Sequence, residues 1–583
     1  MTVTPVARVA GALALFLLLA GAPAVHASQP GERASEPGVS QSAEPVYPFW
    51  TQGPLAPKPE ARMEALKKKA AKREAISARG RSRRALWQAA IVLCALALVA
   101  QRMASRRPSQ RAGIARKVVL VALALASLTS YYGSELFDRD PRKMHLKELY
   151  HYYIGGKYFA ELGYGGIYEC TLAVAAQQRF WWAAGLPHVR DLHTMQVRPT
   201  AEVAVRGVRV CPDRFSSDRW QEFTRDIEWF DTYMGPYRWG RALGDHGFNP
   251  SPVWTFLATP LARFTAPESL WLLARIDILL LLASFGAVGW AFGLEALCLF
   301  AVAWGTGFLW DSRWIGYAFL REIWFAAAVI GVCCLRRGWD AVAGGVLALA
   351  ALTRVFPAVF LAGYALHALR EARRPRALSP RARRFAAGAI AATVVLIGGS
   401  LAIPGGGWNA YQGFQRNLST FLGDVAPINR TGVQPLLWRV DGTSDQWRPS
   451  AARETDAFRI DPSWTGSLRL AAAVLALFLF WRGLGHAQPW EASAAAFALI
   501  PILAAPSHHY LRFVVLGMLL ATRRPWIAVW LLLACLAWLA EGASMLRADV
   551  HFTVVSAVAV ALCFAVLGSM AVPGDRKGSS AAR

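Results

Sequence analysis

The run ESLWLLARIDILLLLASFGAVGWAF, Glu268 to Phe292, has only Glu268, Arg275 and Asp277 to interrupt an otherwise apolar stretch. At about 1.5 Å of rise per residue, some 20 helical residues cross the ~30 Å hydrocarbon core of a bilayer, and this run is long enough to do so. Inside lipid each backbone N–H and C=O must be satisfied within the segment or within a closed barrel. The run does not alternate apolar and polar residues, so it is read as a helix, as are Val118–Tyr131 and Phe385–Ile403.

Working outward, similar runs recur along most of the chain, and over half of the residues (55%) are hydrophobic. About twelve segments reach span length: 118–133, 268–292, 294–310, 317–335, 339–353, 355–369, 385–403, 466–482, 491–505, 509–522, 525–542 and 552–571. The expected class is an all-α polytopic membrane protein with a core of about 12 transmembrane helices.

The formal charge of +25 invites a nucleic-acid reading, but the basic residues are clustered at helix ends. Arg336–Arg337, Arg370–Arg384, Arg523–Arg524 and Arg576–Lys577 fall on one side if the spans alternate, the positive-inside pattern. Membrane lipids, not nucleic acid, are the partners this implies. The segments 134–251 and 405–464 are then extracytoplasmic, and the protein is expected in the plasma (inner) membrane with these loops facing the periplasm or the cell exterior.

The N-terminal region is organised differently. Residues 1–27 carry Arg8, an apolar core and a small-residue end, which reads as a signal peptide or a first membrane segment. Residues 28–84 form a linker, first rich in Pro, Ser, Glu and Gly, then basic and helix-forming in composition. Residues 85–117 hold one more apolar stretch and a basic loop. If that stretch crosses, the basic residues before it lie outside, against the charge rule; the sequence leaves both arrangements open. Residues 572–583 form a cytoplasmic tail.

The large loop 134–251 holds the residues best suited to chemistry. Asp138, Asp140 and Glu148 stand just beyond a span, where a carboxylate can take a proton from an acceptor hydroxyl. The bland alternative is that each only balances Arg139, Arg142 or Lys143. His145, His151 and Tyr152 follow in the same stretch, and Asp245 and His246 precede the chain's return to the membrane. Arg354 lies at an outer turn broken by Pro357, where a guanidinium suits a phosphate. Arg321 is read as pairing with its neighbour Glu322 or with the interface. Asn429, Gln434, His508, His509 and Tyr510 sit on the same face and read as pocket-lining groups. Cys170 and Cys211 are placed where an oxidising compartment permits a disulfide. Neither a CxxC nor an HExxH spacing occurs, so neither supplies a divalent-metal site.

On these residues the chain resembles the GT-C class of polyprenyl-phosphate-dependent glycosyltransferases, closest to the polyprenol-phosphate-mannose-dependent α-mannosyltransferases. The resemblance rests on Glu148-Leu149-Tyr150-His151-Tyr152, Gly163-Tyr164-Gly165-Gly166-Ile167-Tyr168, Asn249-Pro250-Ser251-Pro252, Leu352-Thr353-Arg354-Val355-Phe356-Pro357, Asn429-Arg430-Thr431-Gly432-Val433-Gln434 and Ser507-His508-His509-Tyr510, over roughly residues 118–540. It implies a GT-C-like bundle over 118–571 and a polyprenyl-phosphate sugar as donor. It also implies a lipid or glycan acceptor, a loop carboxylate as base, Arg354 near the carrier phosphate, and no obligatory cofactor. Glu148 stands where the group commonly has Asp, so Asp138 or Asp140 remains an alternative base. A transporter or flippase of a lipid-linked substrate, or an inactive relative, is the competing expectation.

Overall fold

The computed structural model describes residues 59–105, 109–133, 139–312, 316–373, 377–422, 425–427, 429–440, 457–459, 465–544 and 548–573. The signal-like start, the linker up to residue 58, Asp138 and the tail from residue 574 lie outside these residues.

Two long helices come first, α1 (Pro59–Ala104) and α2 (Gln110–Tyr132). Next comes a segment of shorter helices, among them α3 (Gly166–Gln177), α4 (Thr200–Val210), α5 (Ser217–Leu243) and α6 (Pro252–Arg263). The chain then runs through α7 (Leu270–Phe292), α8 (Leu294–Gly305), α9 (Ile323–Arg336), α10 (Asp340–Thr353), α11 (Ala358–Ala372) and α12 (Pro380–Ala402). After α13 (Gly407–Leu422) and α14 (Val433–Val440) come α15 (Thr465–Leu484), α16 (Pro489–Ala495), α17 (Pro525–Ser544) and α18 (Ala548–Ala571). The two small antiparallel sheets are pairs of three- or four-residue strands.

Seven helices among the described residues are long and apolar enough to cross a membrane: α1 over Ser82–Ala104, α2, α7 with its preceding turn, α12, α15, α17 and most of α18. Five further apolar helices are shorter, at Leu294–Gly305, Ile323–Arg336, Asp340–Thr353, Pro489–Leu503 and His508–Leu520. Side chains such as Leu125, Ile390 and Val394 project outward, each over 60% exposed. An apolar outer surface of this kind belongs in lipid.

Close approach of backbones holds the bundle together, as expected where no hydrophobic driving force separates helix from lipid. A Cβ on Gly305 of α8 would stand 2.6 Å from the Ser127 carbonyl carbon of α2, and Ser127 donates its hydroxyl to Ala301 O at 3.1 Å. Gly388 of α12 meets Ala341 O of α10 in the same way, where a Cβ would lie at 1.9 Å.

The two ends of the bundle differ. One end gathers arginines against helix termini: Arg102 with Glu295 (2.6 Å), Arg381 with Asp340 (2.9 Å), Arg523 with Glu491 (2.5 Å), and Arg336 over the Trp490 ring (5.4 Å). At the opposite end Tyr131, at the close of α2, bonds Trp310 O (2.7 Å), and its own carbonyl accepts from Arg84 (3.2 Å) and Ser312 (2.8 Å). Arg84 also pairs with Asp311 at 3.3 Å. The apolar part of α1 therefore runs antiparallel to α2, and the helix continues through the basic stretch back to Pro59 at the end away from the arginine clusters.

That same end carries the segment 139–251, which has a hydrophobic cluster of its own. Its core is aromatic: Trp182 and Trp239 stack at 4.8 Å and both donate to Asp231. Cys170 of α3 and Cys211, just after α4, form a disulfide. Beside it the buried Glu169 carboxylate accepts from Arg206 (2.6 Å), Arg214 (2.8 Å) and His193 (3.0 Å). Burial pushes Glu169 up, but these three donors outweigh it and hold the group at about 2.

Candidate active site

The stretch Leu146–Lys157 is continuously helical, and its middle, Tyr150–Ile154, is wound as a π-turn. Leu149, Tyr150, Tyr153 and Ile154 are fully buried in the aromatic core of the segment. His145, Glu148 and Tyr152, spaced three and then four residues apart, follow one another along the stretch. Gly155 lets Phe248 approach where a Cβ would meet its ring at 2.2 Å, which brings Asn249-Pro250 and the start of α6 alongside.

Two irregular pieces of backbone come up to this stretch from the bundle. The first precedes α9: Tyr317 and Leu320 both have positive φ (54° and 50°), a costly conformation for non-glycine residues that is held only where the surroundings fix it. Here the Asp277 carboxylate of α7 accepts the N–H groups of Arg321 and Glu322 at 3.1 and 3.0 Å. Trp254 of α6 donates to Leu320 O (3.0 Å), and Arg512 donates to Arg321 O (3.2 Å). The second is the turn between α10 and α11, where Pro357 restarts the helix. Ser251 caps α6 and donates to Leu352 O at 2.6 Å, fixing Arg354 beside α6.

The side chains then meet. Arg321 pairs with Glu148 at 3.0 Å, with only 6% and 15% of the two side chains exposed. Glu322 pairs instead with Arg512 (3.0 Å), whose guanidinium is fully buried and lies 4.9 Å from the Trp324 ring centre. The expected Arg321–Glu322 pairing is thus replaced: the strained turn points the two neighbours at different partners. Arg354 donates to the Tyr152 hydroxyl at 2.5 Å and lies 5.6 Å from the Tyr510 ring centre. His509 packs on Tyr510 at 4.3 Å, and Arg321, Arg512 and Arg354 all act on it electrostatically.

Burial alone would raise the Glu148 carboxyl, but Arg321, with His145, Lys147 and His151, brings it below the usual range. His145 is moved down to about 4 by burial, which Glu148 only partly opposes. At neutral pH the site therefore has an ionised Glu148 and an uncharged His145.

The other candidates fall around this centre. His151 turns into the segment's core, 2.9 Å from the Tyr168 hydroxyl, which donates to Ala242 O. Asp245 pairs with Lys147 and lies 3.4 Å from His246, forming a half-buried rim; partial burial raises it, but Lys147 and His246 bring it well below the ordinary value. Asp140 caps a short 3-10 turn, accepting the Arg142 N–H at 2.9 Å. Asn429 and His508 are joined by their backbones (2.9 Å), and Arg430 bridges to Ser507, so two separated stretches lie zipped together. His508 rests between His509 and Phe552, and Gln434 is half-buried on α14.

Arg321 and Arg512 are the functional candidates that sequence reasoning underrated. Arg512 had a usable signal, a lone arginine within the apolar run His508–Leu516. Among the described residues one grouping of His, Cys, Asp and Glu lies close enough to hold a metal ion, Glu169 with Cys170 and Cys211, and its two sulfurs are joined to each other. Compared with protein-family models, with curated proteins and with solved structures, the chain matches none.

Proposed function

We propose that the chain is an integral-membrane glycosyltransferase that moves a sugar, mannose by resemblance, from a polyprenyl-phosphate carrier to a lipid or glycan acceptor. The observation that carries this reading is that Glu148, paired with Arg321, and Tyr152, bonded to Arg354, stand four residues apart on one helical stretch at the end of an apolar bundle. Arg354 meets the neutral Tyr152 hydroxyl, and no carboxylate among the described residues pairs with it. A half-buried cation without a paired carboxylate suits an anionic ligand. A carrier embedded by its polyprenyl chain would present its phosphate near this depth.

In this reaction Glu148 takes the proton of the acceptor hydroxyl as its oxygen bonds to the anomeric carbon. The bond from that carbon to the carrier oxygen breaks, and its electrons leave on the phosphate. Arg354 offsets the charge that develops there through its planar fork of donors. The reading assigns no part to a metal. Glu148 is preferred to Asp140 because it is held among charged groups, whereas Asp140 serves as a cap. With the arginine-rich end taken as cytoplasmic, the site faces the periplasm or cell exterior of a plasma-membrane protein with about 12 membrane segments.

The test is transfer from a radiolabelled polyprenyl-phosphate sugar in membranes containing the intact protein, Arg354→Ala or Glu148→Ala. Loss of transfer in both variants is expected. Transfer left intact in both would end the reading, and movement of the labelled lipid across the membrane without sugar transfer would replace it with transport.

A further inference from the structure

The centre holds three guanidinium groups, Arg321, Arg354 and Arg512, and three carboxyl groups, Glu148, Glu322 and Asp277. They are not equally committed. Arg512 is fully buried, with Nε on Glu322 and a second nitrogen on the Arg321 carbonyl. Its carboxylate partner cannot be given up without leaving a charge stranded in the bundle. Arg321 is anchored differently. Its backbone is fixed by Asp277 and Arg512, while its side chain reaches Glu148, a residue on another element that is 15% exposed. Arg321 also acts electrostatically on Tyr152 and Tyr510, the two rings that flank Arg354. Tyr152 and Tyr510 thus lie within the electrostatic reach of Arg321 and Arg354 alike.

We propose that Arg321 is an exchangeable counter-ion: a phosphate group arriving at Arg354 draws Arg321 away from Glu148, and the release turns a paired carboxylate into a free base. This rests on the reading of the centre as a phosphate-binding transferase site. Chemically the exchange solves a conflict. A carboxylate paired with arginine is a weak base at neutral pH, and a base works best when its proton affinity is near the working pH. With Arg321 on the phosphate, the groups left acting on Glu148 are His145, Lys147, His151 and Tyr152 from its own stretch, with Lys147 already paired to Asp245, and Arg354 from the turn between α10 and α11, itself then engaged by the phosphate. Burial then dominates and raises its proton affinity. The base is strengthened only when donor is present, which protects the site from idle proton transfer.

The experiment is binding of geranyl phosphate to the full-length protein in lipid nanodiscs, measured for the intact chain, Glu148→Gln, Arg321→Gln and the double variant. Glu148→Gln is expected to bind about fivefold more tightly, because Arg321 no longer has to be taken from a carboxylate. That gain is expected to vanish in the Arg321→Gln background. An equal gain in both backgrounds would mean simple repulsion of the ligand by Glu148 and would overturn the exchange, as would no gain at all. Should the Arg321 variants fail to fold, calorimetry on the intact protein and Glu148→Gln decides alone. Proton uptake on binding near pH 5, present in the first and absent in the second, supports exchange; its absence from the intact protein refutes it. Arg354→Ala separates the levels: it is expected to weaken binding at least tenfold, and unchanged binding there would remove the phosphate site itself.

Discussion

Replacing Glu148 by Gln keeps the shape of the side chain and an oxygen that can still accept from Arg321 at the 3.0 Å position, but removes the basic carboxylate. Loss of a general base costs about 10²- to 10⁴-fold in rate, which is ~2.7–5.4 kcal/mol in the barrier. The effect on folding is smaller. Arg321 keeps one hydrogen bond, and its partner is 15% exposed, so about 1–2 kcal/mol is expected. Glu148→Ala would mix the two, because it removes the carboxylate beside a guanidinium that is only 6% exposed. The assay is steady-state sugar transfer in nanodiscs, with thermal unfolding measured on the same preparations. The turnover number should fall by at least a hundredfold, roughly the lower bound for a lost base, while the donor KM stays level or falls. Transfer within tenfold of the intact protein would refute the assignment of Glu148 as base and direct attention to Asp138 and Asp140.

Three further outcomes follow from the same geometry. Arg354→Lys keeps the charge but loses the planar fork, so the donor KM should rise with a smaller change in turnover; Arg354→Ala should abolish saturation in the accessible range. Converting both Cys170 and Cys211 to Ser opens a loop with a sequence separation of 41, for which chain entropy gives about 4 kcal/mol. The 139–251 segment should then become protease-sensitive at temperatures that leave the intact protein whole. The third concerns acid. His145 titrates at about 4 in the folded chain against about 6.5 when unfolded, so the unfolded state binds the extra proton between these values. Stability of this segment should therefore be complete above pH 6.5 and decline by about 3 kcal/mol as pH falls to 4. His145→Gln should flatten that slope in a pH series of thermal melts.

Hydropathy made the helices legible because a span advertises itself through length and composition. All twelve apolar segments contain helix among the described residues, and Ser82–Ala104 supplies a further helix of span length. What composition could not convey is where a helix gives way. The run 317–335 yields a helix only from Ile323, because Tyr317 to Glu322 is held as a strained turn by Asp277 and Trp254, residues more than forty positions away. The run 294–310 ends its α-helix at Gly305, where α2 presses on the backbone.

The same limit governed the site. Arg354 was readable as a charged residue beside a helix break and Tyr152 as one of the polar groups of the large loop, although nothing in their spacing joined them across the chain. Arg321 looked like one half of an adjacent pair, and only the direction of its turn assigns it to Glu148. The arginines of the predicted clusters do gather at one end of the bundle, yet the basic helix before Ser82 shares the opposite end, where Arg84 meets Asp311. The partner there was hidden because it lies over two hundred residues away.

The most direct test of the central reading is a mass-spectrometric comparison of envelope glycolipids and glycans. It would use cells carrying the intact protein, a deletion, and a form with both Glu148→Gln and Arg354→Ala. One sugar-bearing product missing from the deletion and the double variant alike is the predicted result. A profile that changes in the deletion while the double variant matches the intact protein would contradict transfer at this site.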